Sequence, residues 1–533
     1  MNTEAAAVLA ALRSAPRSGV ALISVYDRTG VVPLARALAE RAVPIFATGG
    51  TCAHLREHGI DAREVGELTG YPALFDGRVK TLHPNVFGGI LYDRENEGHR
   101  AETERHRIPT ISTVVVNLYP FEATVAREGA TLQEAIEQID IGGVSLLRAA
   151  SKNFDHVTVL SDPAEYDAFV AALPHGGLDH AARRRCATRA FERTAEYDSA
   201  IARYLESGLL ANELPGSLAL TIPIEQPLRY GENPQDRAAF YLAREAQLPE
   251  QLGGKALSYN NLLDLDATLR LLVRAPEPGS PHVVPAAVRA AIVKHTVPCG
   301  VAERDTVADA VREALDADPV SAYGGIIAVD ARLDLAAAEH LAQFFLEIVA
   351  APAFDDDALE RLRKKKNLRI MRYRAGTPQR IARELRVRSA LGGVLAEDDD
   401  PQAPPERWSV VSKRQPTNEQ WRDLIFAWDV VRHVKSNGVV VARDGVSRGI
   451  CAGQTNRVSA VQIAAHRAHA FAHGAACASD GFFPFADGLV AAAEAGCTAV
   501  IAPQGSIRDA ELIAAANARD IALVFSTYRY FLH

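Results

Sequence analysis

Short apolar runs and helical patterns alternate along the first part of the chain. Val20 to Val25 is an apolar run that ends in a polar turn, and Val31 to Glu40 has the spacing of a helix. A second run, Val43 to Ala47, is closed by the string TGGT before another helical stretch. Further strands are predicted at Thr113 to Val116 and at Val157 to Leu160. This order of strand, turn and helix predicts an α/β domain with a parallel sheet.

The pattern is interrupted near the middle of the chain. From Glu213 the string ELPGSLALTIPIEQPLRYGENP is rich in proline and glycine and has no helical periodicity. Such a composition is typical of a segment between domains, and 533 residues are too many for one hydrophobic core. We therefore predict two parts, residues 1–212 and residues 213–533, and strands alternate with helices again in the second part.

The second part contains a weak internal repeat. The strand from Ala291 to His295 ends in a lysine and a histidine, and the string from Val434 to Val439 places Lys435 at a comparable position. The glycine-rich segments SAYGGIIAVD and GICAGQ follow the two strings. Two similar subdomains are therefore predicted.

Composition and charge exclude several classes of protein. Hydrophobic residues make up 48% and charged residues 23% of the chain, as in soluble globular proteins. A formal net charge of -8 without a long basic stripe disfavours a nucleic-acid partner, although local basic pockets can still bind small anions. No uncharged apolar run is long enough to cross a bilayer, and the N-terminal string lacks the apolar core of a signal peptide. We therefore expect a cytoplasmic protein with no membrane partner.

Cysteine usage agrees with that expectation. The cysteines are sparse and form no C-x-x-C pair, so we interpret them as reduced thiols. They are Cys52, Cys186, Cys299, Cys451, Cys477 and Cys497.

A first group of candidate site residues surrounds the glycine turn at residues 48–51. Glycines between a strand and a helix allow close backbone approach, and the helix N-terminus offers free N–H groups to an anion. A plain tight turn would use the same residues. The string GRVKTLHP at residues 77–84 adds two cations and a hydroxyl group, and the strings DIGG and AASKN follow at residues 140–143 and 149–153. Together they predict a phosphate site beside a lysine-rich centre.

The string IVKHTVPCG at residues 292–300 is the most suggestive feature of the second part. Lys294 and His295 pair a cation with a group that titrates near neutral pH, although a histidine at a strand end can also be purely structural. Further strings accompany the pair, namely LRYGENP, LSYNN, SAYGG, KSN, AGQTNRV and ASDGFFPF.

In their order, these strings resemble the bifunctional AICAR transformylase/IMP cyclohydrolase family, where AICAR is the aminoimidazole carboxamide ribonucleotide. Residues 20–200 are similar to the cyclohydrolase half, and the chain from about residue 225 onward is similar to the transformylase half. The resemblance implies a methylglyoxal-synthase-like fold followed by two cytidine-deaminase-like subdomains. It also implies the last two steps of purine synthesis, which are formyl transfer from 10-formyltetrahydrofolate to AICAR and dehydrative ring closure to IMP.

For ring closure, the resemblance implies two sets of residues. The 5'-phosphate would be held by Ser24, Arg28, Thr48, Gly49, Gly50, Thr51, Arg78 and Thr81. The reacting end would be lined by Lys80, Tyr119, Asp140 and Lys152. A carboxamide nitrogen is a poor nucleophile, so a cation beside the developing oxyanion and a proton shuttle would help the reaction most. Surface lysines beside a core tyrosine are the alternative interpretation.

For formyl transfer, the resemblance implies that His295 is the base and Lys294 its electrostatic partner or acid. The nucleotide would be bound by Arg229, Tyr230, Asn261, Asn437, Arg457 and Arg529, and the folate co-substrate would lie near Phe482 and Asp487. No zinc is expected, because zinc deaminases require H-x-E and P-C-x-x-C, and the string HTVPCGVA lacks most of these ligands. A homodimer is also implied.

The chain departs from the family's usual strings at a few positions. Tyr26 and Arg28 stand in the string SVYDRTG where the family commonly has serine and lysine, Gln235 replaces a histidine, and Val297 replaces an asparagine. The change at Arg28 keeps the charge but alters its geometry.

Two alternative functions stay open from the sequence. Either only the cyclohydrolase half is active, or the chain is a non-catalytic nucleotide sensor. The intact Lys294–His295 pair disfavours the first alternative. The combined presence of Lys80, Tyr119, Asp140 and Lys152 disfavours the second, because a sensor would need only the phosphate loop.

Overall fold

The computed structural model describes residues 19–75, 77–127, 129–207, 214–243, 246–274, 288–398 and 406–533. The chain divides into two compact units, Met1–Ile222 and Pro223–His533. The boundary predicted at Glu213 lies outside the described residues.

The first unit contains a parallel sheet of five strands in the order β3-β2-β1-β4-β5. The strands are β1 (Val20–Ser24), β2 (Ile45–Ala47), β3 (Ala62–Glu64), β4 (Ile111–Val116) and β5 (Thr158–Leu160). The helices are α1 (Val31–Ala39), α2 (Gly49–Glu57), α3 (Val65–Thr69), α4 (Pro84–Leu91), α5 (Glu97–His106), α6 (Phe121–Val125), α7 (Leu132–Glu137), α8 (Gly142–Lys152), α9 (Tyr166–Ala172) and α10 (His180–Ser207). The predicted parallel sheet is confirmed. Strand β3 was not predicted, because the string ARE has a single apolar residue.

Strand order places a crevice in the middle of this sheet. The chain leaves β1 towards β2 and later returns to β4 on the other side of β1. The loops that follow β1 and β4 therefore diverge and leave a crevice between them. Ligands in open α/β sheets bind in the crevice at such a reversal of the strand order, which is called a topological switch point. The strands that flank it are buried on both faces, as expected for a parallel sheet covered by helices.

The second unit is built on a mixed sheet of twelve strands in the order β16-β21-β20-β19-β17-β18-β10-β9-β11-β12-β13-β8. Its strands are β8 (Glu250–Gly253), β9 (Val288–Lys294), β10 (Val297–Arg304), β11 (Ile326–Val329), β12 (Ile348–Ala351), β13 (Arg369–Arg372), β16 (Trp408–Val410), β17 (Val439–Arg443), β18 (Val446–Cys451), β19 (Ala476–Ser479), β20 (Ala499–Pro503) and β21 (Ala522–Ser526). Two separate hairpins are formed by β6 (Ile224–Leu228) with β7 (Ala238–Tyr241) and by β14 (Arg386–Ala390) with β15 (Gly393–Glu397).

The helices of the second unit follow the same numbering. They are α11 (Tyr259–Arg270), α12 (Val307–Ala317), α13 (Pro319–Ala322), α14 (Leu335–Leu341), α15 (Asp356–Arg363), α16 (Thr377–Ala382), α17 (Asn418–Val431), α18 (Arg457–Ala468), α19 (Asp487–Glu494) and α20 (Asp509–Ala518).

The twelve-stranded sheet consists of two halves with the same topology. Hairpin β9–β10 corresponds to β17–β18, and β11, β12, β13 and β8 correspond in turn to β19, β20, β21 and β16. The halves meet where β10 pairs antiparallel with β18, with Ala302 opposite Val446. The predicted pair of similar subdomains is therefore confirmed.

The predicted equivalence between Lys435 and Lys294 is wrong. Lys294 is the last residue of β9, whereas Lys435 lies before β17, at the opposite end of the corresponding strand. Arg443 ends β17 and occupies the position that corresponds to Lys294. Likewise GICAGQ contains the end of β18 and corresponds to β10, not to the strand in SAYGGIIAVD. A lysine beside an apolar run does not reveal whether it precedes or follows the strand.

Two glycines support this corrected alignment. A Cβ atom added at Gly300 of β10 would lie 2.0 Å from the carbonyl oxygen of Ala314 in α12. A Cβ atom added at Gly449 of β18 would lie 2.0 Å from the carbonyl oxygen of Ala464 in α18. In both halves a helix therefore packs directly on the hairpin backbone, and only glycine leaves room for it.

We expect Gly300→Ala to destabilise the second unit by roughly 1–3 kcal/mol, the usual cost of forcing an extra methyl group into a packed interior. The measurement is the free energy of unfolding by denaturant. Gly393→Ala is the matched control, because the nearest atom to its added Cβ is 3.7 Å away. Equal stability of the two variants would contradict the close approach of α12.

Candidate functional site

A cleft of about 1110 Å³ lies at the carboxyl ends of β1, β2 and β4 in the first unit. Its volume is slightly above the ~300–1,000 Å³ typical of ligand pockets. The predicted residues that line it are Ser24, Arg28, Thr48, Gly50, Thr51, Arg78, Lys80, Thr81, Tyr119 and Asp140. Gly49 lies beside them as the first residue of α2.

One end of the cleft is formed by hydroxyl groups and by the N-terminus of α2. Thr51 Oγ1 donates to the carbonyl oxygen of Val25 and accepts its N–H, both at 3.1 Å. The hydroxyl groups of Ser24 and Thr48 are hydrogen-bonded to each other at 3.0 Å, and the Thr48 side chain does not cap α2. The first-turn N–H groups of α2 are therefore available to an anion in the cleft.

Asn117 holds the loop that carries Arg28. Its Oδ1 accepts the backbone N–H groups of Tyr26 at 2.6 Å and Asp27 at 3.0 Å, and its Nδ2 donates to the carbonyl oxygen of Asp27 at 2.8 Å. The Arg28 guanidinium lies over the first turn of α2, where a Cβ atom added at Gly50 would be 3.2 Å from Nη2. Sequence reasoning did not select Asn117, although it is the first polar residue after β4.

Asp140 also lines the cleft and lies just before α8. Its Oδ1 accepts the N–H of Gly143 at 2.7 Å, and its own N–H donates to the hydroxyl of Tyr197 at 2.9 Å. Burial raises the pKa of this carboxyl, and the Gly143 amide and the charge of Lys80 oppose that increase. A carboxyl group with a raised pKa beside a lysine is suited to proton transfer.

Aromatic and charged side chains complete the lining of the cleft. The rings of Tyr26 and Tyr119 meet edge to face with centroids 6.0 Å apart. Arg78 forms an exposed ion pair with Glu137, a lining residue that the sequence did not point to. Glu137 ends α7, so nothing in its local string distinguishes it from a surface residue.

Lys152 is not brought to the cleft of its own chain. It is exposed and ends α8, whose first residue Gly142 lines the cleft. A helix of eleven residues is roughly 16 Å long. The strings DIGG and AASKN are near each other in sequence, but they lie at opposite ends of this helix.

Lys294 and His295 lie at the turn of hairpin β9–β10 in the second unit. His295 and Thr296 form a two-residue turn in which both have positive φ, 55° and 60°. The His295 side chain is exposed, and Lys294 Nζ donates to the carbonyl oxygen of Tyr323 at 2.7 Å. A cavity of about 300 Å³ lies beside them, and Arg448 and Arg467 add positive charge to it.

Cys299 also lines this cavity. Burial raises its pKa to about 12. A thiol with so high a pKa is not a nucleophile near neutral pH. The surroundings of Cys299 therefore favour a structural role for this residue.

Other predicted residues of the second unit lie at the same edge of the large sheet. Strand β9 ends at the edge where the antiparallel strand β17 begins and β19 ends. Asn437 precedes β17 and Phe482 follows β19, so both are on the edge that carries Lys294. Three strand spacings separate β9 from β17, which corresponds to about 14 Å.

Arg457 and Asn261 are engaged inside the protein. Arg457 donates to Asp480, to Ser479 Oγ at 3.0 Å and to Asn437 Oδ1 at 2.7 Å, and it is buried. Asn261 forms a reciprocal cap with Ser258 at the start of α11. These two side chains use their hydrogen bonds to hold the backbone and Asn437 in place, and they offer few free donors to a ligand.

The remaining predicted residues are in loops or at a helix end. The Arg229 guanidinium is 4.7 Å from the ring centroid of Tyr230, and that of Arg529 is 4.8 Å from the ring of Phe531. Asp487 begins α19 and accepts the N–H of Gly488 at 2.8 Å. Val297 pairs with Lys294 across the hairpin and offers no polar group there.

No group of three or more His, Cys, Asp or Glu side chains in the described parts of the chain could hold a metal ion. The cysteines are free thiols, and all but Cys299 are buried. Among the described helices, none has the length and apolar character needed to cross a membrane.

Two family models match the chain. The model described as AICARFT/IMPCHase bienzyme matches residues 150–467, and the MGS-like domain matches residues 30–145.

Similar proteins match almost the entire chain. The bifunctional purine biosynthesis protein PurH of Magnetococcus marinus is 46% identical, over 96% of this chain and 99% of its own length. The protein of the same name from Synechococcus elongatus is also 46% identical, with the same coverage of both chains. A solved structure titled as that of ForH is 35% identical and covers 36% of this chain and 100% of its own, with a TM-score of 0.32.

We expect Asn117→Ala to weaken nucleotide binding in the first unit by about tenfold, because the loop that presents Arg28 loses three hydrogen bonds. Calorimetric titration with a purine nucleoside 5'-monophosphate measures the affinity. Asn153→Ala is the control, since Asn153 also bonds backbone carbonyls but lies outside the cleft. The role of Asn117 is refuted if both variants bind like the unmodified protein.

Proposed function

Because the chain belongs to the AICARFT/IMPCHase bienzyme family, we propose that it carries out two successive reactions. It transfers a formyl group from 10-formyltetrahydrofolate to AICAR, and it then closes the ring of formyl-AICAR to IMP with loss of water. Family membership confirms the resemblance inferred from the motifs. The observation that carries the functional proposal is the cleft, which gathers the hydroxyl groups, Arg28, Lys80 and Asp140 at one switch point.

The first unit would bind the nucleotide by its phosphate. The N-terminus of α2 offers N–H groups and the positive end of its dipole, and Ser24, Thr48 and Arg28 surround the same place. A phosphate fixed at this end directs the base towards Lys80, Tyr119 and Asp140. Binding at the distant phosphate therefore sets the orientation in which the ring closes.

Ring closure would use a lysine and a carboxyl group together. The carboxamide nitrogen attacks the formamide carbon, and the new C–N bond leaves negative charge on the former carbonyl oxygen. The Lys80 ammonium stabilises that charge. Asp140 accepts one proton of the attacking nitrogen and returns it to this oxygen, which becomes a hydroxyl group. It then carries the remaining N–H proton to the hydroxyl group, so that the C–O bond breaks, water leaves and the C=N bond of the ring forms. The raised pKa of the Asp140 carboxyl suits a group that must both accept and release a proton.

Formyl transfer would take place at the hairpin turn of the second unit. The amino group of AICAR attacks the formyl carbon, and His295 accepts the proton of that amine. The bond between the formyl carbon and N10 of the folate breaks, and N10 gains a proton. The Lys294 ammonium, held by the Tyr323 carbonyl at 2.7 Å, stabilises the oxyanion of the intermediate or protonates N10. Asn437 and Phe482 on the same sheet edge would contact the two substrates.

We assign the cyclohydrolase to residues 1–212 and the transformylase to residues 213–533. Family membership also supports a homodimer located in the cytoplasm, with small-molecule nucleotide and folate substrates and no nucleic-acid or membrane partner. The folate serves as a co-substrate, and the mechanism requires no metal.

The decisive experiment supplies the purified chain with AICAR and 10-formyltetrahydrofolate, and separately with formyl-AICAR alone, and measures IMP. IMP from both mixtures supports the bifunctional enzyme. IMP only from formyl-AICAR indicates that the cyclohydrolase alone is active. The absence of IMP from both mixtures favours a nucleotide sensor and refutes the proposal.

We expect Lys80→Ala to slow ring closure by about a hundredfold or more, the usual effect of removing one oxyanion partner, and to leave formyl transfer unchanged. Both rates are measured on one preparation. Arg36→Ala is the control, because this exposed cation lies on α1 outside the cleft. Equal loss of both activities would point to a folding defect in place of a catalytic role.

We expect His295→Ala to lower the rate of formyl transfer by about 100- to 10,000-fold, which is typical for the loss of a general base. Closure of supplied formyl-AICAR is expected to continue, because its site lies in the other unit. Near-normal formyl transfer by a folded variant would make His295 structural and would assign the base to another residue.

A further inference from the structure

The turn that carries His295 has an unfavourable backbone conformation. His295 and Thr296 have φ values of 55° and 60°. Two-residue hairpin turns of this kind favour asparagine, aspartate and glycine, because positive φ crowds the Cβ atom. A β-branched threonine is especially disfavoured there. Contacts from outside the hairpin are therefore needed to hold this turn.

Asp264 supplies such contacts from α11. Its Oδ2 accepts the N–H of His295 at 3.2 Å, and its Oδ1 accepts the N–H of Thr296 at 2.7 Å. Both oxygens of one carboxylate thus bind the two successive amides of the turn. Hydrogen bonds to a charged acceptor are stronger than those between neutral groups, and α11 itself is packed against β9 and β11.

The second half of the large sheet contains the same arrangement, but its turn has no lysine–histidine pair. Asp423 of α17 accepts the N–H of Asp444 at 2.9 Å and that of Gly445 at 2.8 Å, in the turn of hairpin β17–β18. In that turn the second residue is glycine, which adopts positive φ without strain. The repeat thus uses an aspartate to hold each hairpin turn, and only the first turn carries a lysine and a histidine.

We propose that Asp264 is a positioning residue for formyl transfer. Its carboxylate holds the His295–Thr296 turn in the left-handed conformation, and this fixes the direction in which the His295 imidazole points. Lys294 is held separately, by the Tyr323 carbonyl. This inference rests on the proposed function, because the orientation of His295 affects catalysis only if His295 is the base.

The first test is Asp264→Asn, whose side chain keeps the shape but has one acceptor oxygen and cannot bind both amides. We expect kcat for formyl transfer to fall by about a hundredfold, as a displacement of about 1 Å can cause, with little change in KM for AICAR. Ring closure of supplied formyl-AICAR reports that the chain is intact. Asp423→Asn is the matched control, because it removes the same contact from the other half, and we expect its kcat to stay within about twofold of normal.

The second test is rescue. Thr296→Gly places glycine at the position that Gly445 occupies in the other turn, so the turn no longer depends on the carboxylate. The kcat of the double variant Asp264→Asn/Thr296→Gly should be at least about tenfold higher than that of Asp264→Asn. The kcat of Thr296→Gly alone should be close to that of the unmodified protein. A purely structural role of Asp264 in α11 would not be relieved by a change in the turn.

His295→Ala is measured in parallel to separate the two proposals. If His295→Ala retains formyl transfer, the proposed base is wrong and the inference fails with it. If His295→Ala loses transfer but folded Asp264→Asn keeps its kcat, the positioning role alone is overturned. Equal losses in Asp264→Asn and Asp423→Asn, or no rescue by Thr296→Gly, would also overturn it. Should Asp264→Asn not fold, Asp264→Glu replaces it, with an expected loss of about tenfold in kcat, and a normal kcat would count against the inference.

Discussion

Coverage of both main sheets by helices is the constraint on which the two candidate sites depend. Strands β1 and β4 of the first unit and β9, β11 and β19 of the second are buried on both faces over nearly all of their length. Polar side chains can reach a ligand only where such strands end. Ser24 therefore ends β1 and Asn117 follows β4, and Lys294 ends β9 and His295 follows it. Chemistry at strand ends is a consequence of apolar strand interiors.

The second unit shows how a repeated fold distributes structural and chemical roles. In both halves a glycine of the hairpin lies against a helix, and an aspartate of another helix accepts the two amides of the hairpin turn. The backbone geometry that requires these residues is the same in each half. The turns differ in what they carry. Asp444–Gly445 is an ordinary sequence for such a turn, whereas His295–Thr296 is not. A strained turn that persists in a structure points to function at that turn.

Ion pairs join the two halves across the central strands. Arg289 of β9 is buried and donates to Glu303 of β10 and to Asp429 of α17, the latter at 2.5 Å. Arg448 of β18 pairs with Glu313 of α12 at 3.2 Å. Removing Asp429 would leave the buried charge of Arg289 with one partner fewer, which is strongly destabilising. These contacts hold the central hairpins of the two halves together, and Arg289 does so at the end of β9 opposite to Lys294.

The sequence by itself determined the fold class, the parallel sheet of the first unit, the family and most residues of the first cleft, because each of these depends on local strings in a fixed order. Tertiary structure decided what those strings could not. Lys152 lies away from the cleft, because a helix separates it from Asp140. Arg443, and not Lys435, is the counterpart of Lys294, because a single lysine beside an apolar run does not indicate the direction of the strand. The tertiary structure also brought in Asn117 and Asp264, whose roles arise from hydrogen bonds to backbone groups distant in sequence. Such contacts leave no local pattern, so only the folded chain reveals them.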